Sequence, residues 1–151
     1  MTVRVLGMIS GTSHDGIDCA VVEFQLVDDA LEARTVHRAS VPYSSELRSQ
    51  LVAALPPAAV PLSIVTELDA RIGKEFAVAA EAVIDAVGPV DLICSHGQTV
   101  FHWVREGTVH GSLQLGQPAW IAEGTGAPVL SDVRARDIAA GGHGAPLVPV
   151  L

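Results

Sequence analysis

Apolar residues come in short strand-like runs through the first third of the chain and then switch to a helical spacing. Val3-Arg4-Val5-Leu6-Gly7-Met8 is the first run, and Ile17-Asp18-Cys19-Ala20-Val21-Val22, continuing to Leu26, is the second. Between them stands Ile9-Ser10-Gly11-Thr12-Ser13-His14-Asp15-Gly16. Two apolar runs around a glycine- and serine-rich stretch predict strand, tight turn, strand. Asp28-Asp29-Ala30 predicts a second turn, and Leu31 to Val41 a third strand ended by Pro42. Three consecutive strands joined by short turns form an antiparallel meander.

Ser44 or Ser45 is placed to cap a short helix carrying Leu47, Leu51 and Leu55, stopped by Pro56-Pro57. A longer helix is predicted from about Ser63 to Val87. Ile64, Leu68, Ile72, Phe76, Ala79, Val83 and Val87 recur in steps of three and four, which is one helix face. Glu67, Arg71 and Glu75 are spaced for i,i+4 pairing on the wet side, and Gly88-Pro89 ends the element. Val90 to Cys94 then predicts a short buried strand running into a polar loop, Ser95 to His102. Ser112 to Leu115 is another short strand, Pro118 to Glu123 a proline-opened helix closed by Gly124 to Gly126, and Pro128 to Ser131 the last clear strand. Asp132 to Asp137 follows it as a polar loop, and Ala139 to Leu151 is a glycine- and proline-rich tail without period. No internal repeat or low-complexity linker interrupts this order. An antiparallel meander continuing into helix-connected parallel strands is an α/β layer. In such sheets ligands bind beyond the carboxyl ends of the strands, where the order places three polar loops, Ser10–Gly16, Ser95–His102 and Ser131–Asp137.

Composition narrows the partners. At 151 residues the chain is one domain or one lobe of a larger protein. Nearly half of it, 49%, is apolar, and its mean hydropathy of +0.40 is enough for a filled core without any run as long as a membrane span. The net charge of −8 argues against a nucleic-acid surface. Cys19 and Cys94 both lie in apolar strand-like runs, which predicts buried free thiols in a reducing compartment. No basic region followed by a long apolar stretch opens the chain. It reads as a soluble, cytoplasmic protein.

The first turn carries the sharpest chemistry. Glycines let a ligand approach the backbone closely, Thr12 and Ser13 add hydroxyls beside exposed amides, and such a turn is an anion nest suited to phosphate oxygens. A plain hairpin turn has the same composition. What favours phosphate is density: Ser-Gly-Thr-Ser, then Asp-Gly, then a second aspartate, between strands too apolar for the surface. No G-x-x-x-x-G-K-[ST] or G-x-G-x-x-G follows a strand, and the single lysine, Lys74, lies on the long helix. A phosphate here is therefore held by amides, hydroxyls and a metal ion. His96, His102, His110 and His143 invite a zinc reading with Asp132 and Asp137, but the spacing is poor and neither H-E-x-x-H nor C-x-x-C occurs. Histidines that hydrogen-bond substrate or loop backbone account for them better. Arg134, Arg136 and Asp137 taken alone are a solvated loop with local ion pairs, although an arginine there could grip a carboxylate in bidentate fashion.

Taken together the motifs are more specific. Gly7 to Asp18 resembles the opening of the anhydro-N-acetylmuramic acid kinases. Ser95 to His102 resembles their second block, Leu113 to Gly116 the third, and Ser131 to Pro149 the fourth, in matching order and spacing over essentially the whole chain. The resemblance implies one ribonuclease-H-like lobe of a two-lobed kinase of the actin and hexokinase superfamily, with ATP and sugar meeting between lobes. It implies ATP and Mg2+ as cofactors, and phosphorylation of 1,6-anhydro-N-acetylmuramic acid at O6 while water opens the anhydro bridge, in peptidoglycan recycling. On it, Gly11, Thr12, Ser13, His14, Asp15, Gly16, Ile17 and Asp18 form the ATP-binding stretch. Gln98, Thr99, His102, Arg134 and Asp137 face the amino sugar, whose lactyl carboxylate suits an arginine.

The chain departs from the family pattern at His14, Val133 and His143, where leucine or methionine, phenylalanine and glutamine are usual. Related sugar kinases carry an aspartate just before the Gly-Thr of the turn, where Ile9 and Ser10 stand here. Asp15 or Asp18 is left to make a magnesium contact through water, Asp15 being the first choice. The family continues for about as long again, with an Asp-Thr-Gly-Pro-Gly-Asn block bearing the expected general base and with the adenosine pocket. Residues 1–151 are thus expected to be the N-terminal lobe, inactive alone, with no catalytic base of its own. The other reading is a non-catalytic sugar- or nucleotide-binding lobe that pairs with another chain, in a second lobe or a homodimer.

Overall fold

The computed structural model describes residues 1–146. The end of the expected irregular tail, 147–151, lies outside the described residues. The meander forms as β1 (Thr2–Ser10), β2 (Gly16–Val27) and β3 (Ala30–Pro42). β1 and β2 pair antiparallel with Met8 opposite Cys19, and β2 pairs β3 with Gly16 opposite Pro42. Gly16 is needed for that pairing, because a Cβ there would stand 2.5 Å from the Val41 carbonyl oxygen. Asp28 and Asp29 both take positive φ, 47° and 63°, the backbone of a two-residue hairpin turn whose twist matches the strands.

Helix α1 (Ser45–Ala53) starts at Ser44, whose side chain accepts from the Leu47 amide. It ends before Leu55, so only Leu47 and Leu51 of the expected stripe are buried on it. Helix α2 (Leu62–Val87) follows the predicted stripe, burying Leu68, Ile72, Phe76, Ala79 and Val83. These pack in one cluster with Leu6 and Met8 of β1 and with Ile17, Cys19 and Val21 of β2. The alternating residues Gly7 and Ile9 point to the opposite face of the sheet. Arg71 pairs with Glu67 at 3.6 Å as its spacing predicts, and also reaches Glu46 of α1 at 3.2 Å.

The next element corrects the sequence reading. Ser95–His102 is not a loop: β4 runs unbroken from Leu92 to Arg105, 14 residues. Its first half lies parallel to β1, Leu6 opposite Ile93 and Ser10 opposite Gln98. Its second half forms an antiparallel hairpin with β5 (Thr108–Leu115) through Glu106-Gly107, both at positive φ. The polar composition of Ser-His-Gly-Gln-Thr hides the strand, while ladders to β1 on one side and to β5 on the other pair it again from Gln98 onward. After α3 (Pro118–Thr125), opened by its proline, β6 (Val129–Ser131) pairs parallel with Ile93 to Ser95. The sheet order is β3-β2-β1-β4-β5, with β6 beside β4 as well.

The stretch after β6 is a second correction. Val133–Ala139 is a helix, α4, entered through Asp132 at φ 54°. It has no side-chain cap bond and too few turns to show a period, so the sequence carries little sign of it. Cys19 is buried and Cys94 half-buried, and both thiols are free. No described helix is long and apolar enough to cross a membrane.

Candidate functional site

The turn from β1 to β2 leaves Gly11 to Asp15 outside the strand ladder. The His14 amide donates to the Gly11 carbonyl at 3.3 Å, and His14 adopts φ 53°. The Ser13 hydroxyl donates to Asp15 Oδ1 at 2.6 Å. That bond is the main reason the Asp15 carboxyl is held below its ordinary range; backbone amides and Arg48 act in the same direction. Thr12, Ser13, Asp15 and Asp18 are exposed, whereas Gly16 and Ile17 are buried. From outside the turn, Arg48 of α1 donates to the His14 carbonyl at 3.2 Å and the Tyr43 amide to the Asp15 carbonyl at 3.0 Å. Gly11 has open surroundings: a Cβ there meets nothing nearer than Ser13 Oγ at 3.8 Å, and its φ is not positive.

Gln98 holds this turn from below. It is 1% exposed and Ser10 2%. The Ser10 hydroxyl donates to Gln98 Oε1 at 2.6 Å, and Gln98 Nε2 donates to the Gly11 and Thr99 carbonyls at 3.2 and 3.1 Å. Three bonds occupy both ends of the amide, so the structure places Gln98 under the turn, not in an open cleft. Its reach from β4 to the backbone of Gly11 fixes where the turn sits relative to the parallel strands. Ser10 and Gln98 lie in the motifs, but neither their pairing nor the part of Arg48 is signalled there. Their importance comes from pairing across 88 and 34 residues of sequence.

The remaining predicted residues are spread along β4 and α4. Thr99 Oγ1 accepts from Gln114 Nε2 at 3.3 Å. His102 pairs with Ser112 on the β4–β5 hairpin. At about 3.3 Å per residue it lies roughly 13 Å along the strand from Gln98, and its buried Nδ1 has no partner. Arg134 is half-buried, and loss of water lowers its pKa from the ordinary guanidinium value. Asp137 Oδ2 accepts from the Gly144 amide at 2.7 Å, closing the chain after α4. Among the described residues no group of three or more His, Cys, Asp or Glu is placed to hold a metal ion. On the sheet face away from α2, an open concavity of about 700 Å³ joins Ile9 and Asp18 of the hairpin to Cys94, His96 and Val133. It brings the start of α4 to the same side as the second aspartate of the turn stretch.

An antiparallel meander that passes into parallel strands, with a glycine turn at the end of its first strand, is the ribonuclease-H-like lobe of the actin and hexokinase superfamily. A family model described as Anhydro-N-acetylmuramic acid kinase matches residues 3–151, and the chain belongs to that family. Relatives named anhydro-N-acetylmuramic acid kinase come from Streptomyces avermitilis, 53% identical over 99% of this chain, and Streptomyces coelicolor, 51% over 97%. A third, from Synechococcus elongatus, is 45% identical over 99% of the chain. The alignments take in 39%, 38% and 40% of those relatives, so the chain spans about two-fifths of their length. A CasPhi-2 (Cas12j) structure with crRNA and phosphorothioate-DNA aligns over 91% of this chain and 24% of its own, at 18% identity. Its TM-score of 0.24 is too low to carry any argument.

Proposed function

We propose that residues 1–151 form the ATP-phosphate- and sugar-binding lobe of a kinase acting on 1,6-anhydro-N-acetylmuramic acid. The observation that carries this reading is the turn itself. Its residues 11–15 stand free of the ladder, its position is set by Ser10 and Gln98, and nothing fills the space above Gly11. In the reaction the γ-phosphoryl group of ATP passes to O6 of the sugar. Water adds at C1, the C1–O6 anhydro bond breaks, and the products are ADP and N-acetylmuramate 6-phosphate. Phosphoryl transfer depends on positioning and charge stabilisation, and this lobe's share is to seat the phosphates on the amides and hydroxyls of Gly11, Thr12 and Ser13.

Mg2+ keeps several waters and is bound by one or two carboxylates together with phosphate oxygens. Asp15, exposed and held ionised by Ser13, suits one such contact through water, and a dedicated protein cage is not needed. When bound, the ion would neutralise phosphate charge. Arg134 is the group for the lactyl carboxylate, with Thr99 and His102 further along β4. The general base and the adenosine pocket are assigned to the part of the family's length that residues 1–151 do not span. The test is magnesium-dependent ADP formation with the anhydro-sugar by a protein of the relatives' length carrying this lobe, with none expected from residues 1–151 by themselves. Gly11→Val should abolish ATP-dependent activity, because its side chain stands where phosphate oxygens must sit. Thr12→Ala, losing one donor to a charged group worth about 1.5–3 kcal/mol, should lower it by roughly one to two orders of magnitude. Near-normal ATP kinetics in Gly11→Val would mean that the turn is a plain hairpin.

A further inference from the structure

The turn from Gly11 to Asp15 stands on two feet, and they are held from different sides. At Ser10 and Gly11 the hold is Gln98 of β4, through the Ser10 hydroxyl and the Gly11 carbonyl. At Asp15 and Gly16 it is the end of β3: Gly16 lies opposite Pro42, and the Tyr43 amide donates to the Asp15 carbonyl at 3.0 Å. Ser10 comes just after a slip in the β1–β4 register, between Met8 and Ser10. Irregular pairing of this kind is common next to active sites, where it re-aims a side chain.

Tyr43 also sends its side chain under the turn. It is the one tyrosine of the chain, is 6% exposed, and packs in the same cluster as Met8 and Ile17. Its hydroxyl is buried and, among the described residues, has no hydrogen-bond partner. Burial, with the Glu75 charge adding to it, pushes the pKa up to about 12, against an opposite pull from the Ser10 hydroxyl beside it. The phenol therefore keeps its proton and is a donor. Ser10 is its complement: it gives its own proton to Gln98 Oε1, and a hydroxyl oxygen still has two lone pairs to offer. A buried donor and a buried acceptor thus stand side by side without a bond between them. Leaving them so is costly. Closing the gap needs Ser10 to move, and Ser10 is joined directly to Gly11.

We infer that Tyr43 is a positioning residue for the turn: phosphates seated on Gly11 to Ser13 draw Ser10 into a hydrogen bond donated by the Tyr43 hydroxyl, which ties the two feet together. The inference rests on the proposed function. The bond is unmade in the free chain and made in the loaded one, so it contributes to affinity for the nucleotide and not to the stability of the fold.

The single tyrosine makes the test direct. In the 151-residue chain carrying tyrosine labelled with carbon-13 at Cζ, one NMR signal reports the hydroxyl while amide signals follow the turn. ATP with Mg2+ should shift both the amides of residues 11–15 and the Cζ signal, and adenosine, which has no phosphates, should leave Cζ in place. Tyr43→Phe removes an unbonded group. Its thermal midpoint should equal or exceed that of wild type, while ATP binds roughly three- to tenfold more weakly, the worth of one neutral hydrogen bond. In Ser10→Ala the Cζ shift with ATP should be lost. Turn amides that respond to ATP while Cζ stays fixed and Tyr43→Phe keeps wild-type affinity would overturn the inference and leave the proposed function standing. A lowered midpoint in Tyr43→Phe would also overturn it, because the hydroxyl would then be bonded before any ligand arrives. So would a Cζ shift that adenosine reproduces, or one that survives Ser10→Ala and so answers to Glu75. Amides of residues 11–15 unmoved by ATP would overturn the proposed function and this inference with it.

Discussion

Gly11 and Gly16 sit five residues apart in one motif and do different work. At Gly16 the fold itself excludes a side chain, since β3 passes 2.5 Å from the position of a Cβ. Gly16→Ala must push the strands apart, and overpacking of that kind costs roughly 1–3 kcal/mol. A lowered urea midpoint with an unchanged slope is the expected record. Gly11→Val should leave that midpoint near wild type, because its surroundings are open. On the proposed function, the contrast would separate a glycine kept for a ligand from one kept for a neighbour. His96 adds a pH dependence. Burial, the largest cause, lowers its pKa below 6.5 in the folded chain. Between that folded value and 6.5 the unfolded chain holds the proton and the folded chain does not. Stability therefore falls as pH drops below 6.5 and levels off beneath the folded pKa. Glu23, held down by Arg4 and Arg34 from an ordinary 4.5, contributes at lower pH. Denaturation midpoints followed from pH 7.5 to 5 should slope in wild type and flatten in His96→Gln; equal slopes would place the titration elsewhere.

Beside the parallel ladder, β1 and β4 are joined by a buried side-chain pair, Ser10 and Gln98. Removing either leaves the other's polar group buried and unmet, at about 1–3 kcal/mol each, whereas Ser10→Ala with Gln98→Leu removes both. The double variant should cost clearly less than the sum of the singles in a thermodynamic cycle; simple additivity would mean the pair does not hold the turn. No spacing rule points to such a pair, because its members are 88 residues apart. What the sequence does disclose is local. The α2 stripe, the Ser44 cap, the Gly88-Pro89 stop, the proline at the start of α3 and the first hairpin all follow from period, capping and turn chemistry, and they form as expected. What it conceals depends on partners. β4 continues through Ser95–His102 because β1 and β5 supply its hydrogen bonds, and α4 is too short to carry a period. The site was readable to the same degree. The glycine turn is evident from composition, while the burial of Gln98 against Ser10 exists only once the strands pair.

Across the whole lobe β4 is the wall behind the turn proposed to seat phosphate. On its β1 side Gln98 donates to the turn at the Gly11 carbonyl; on its other side Ser95 to Gly97 stand between the ladders to β6 and β5. The hinge of that wall is Gly97. Its φ of 70° is a conformation that costs a side-chain-bearing residue about 1–2 kcal/mol. A Cβ there would also stand 2.5 Å from the Leu115 carbonyl. Gly97→Ala must therefore either change the backbone at that position or push β5 aside, and both responses move Gln98 beside it. We expect it to lower stability by about 2 kcal/mol or more and to weaken ATP binding through Gln98. Gly11→Val should weaken ATP binding with stability near wild type. Calorimetric titration of both variants with ATP, below the temperature at which either unfolds, measures this pattern. If Gly97→Ala lowered stability yet left the ATP affinity untouched, the placing of Gln98 by β4 would not govern the turn, and the turn would have to be treated as a surface independent of that strand.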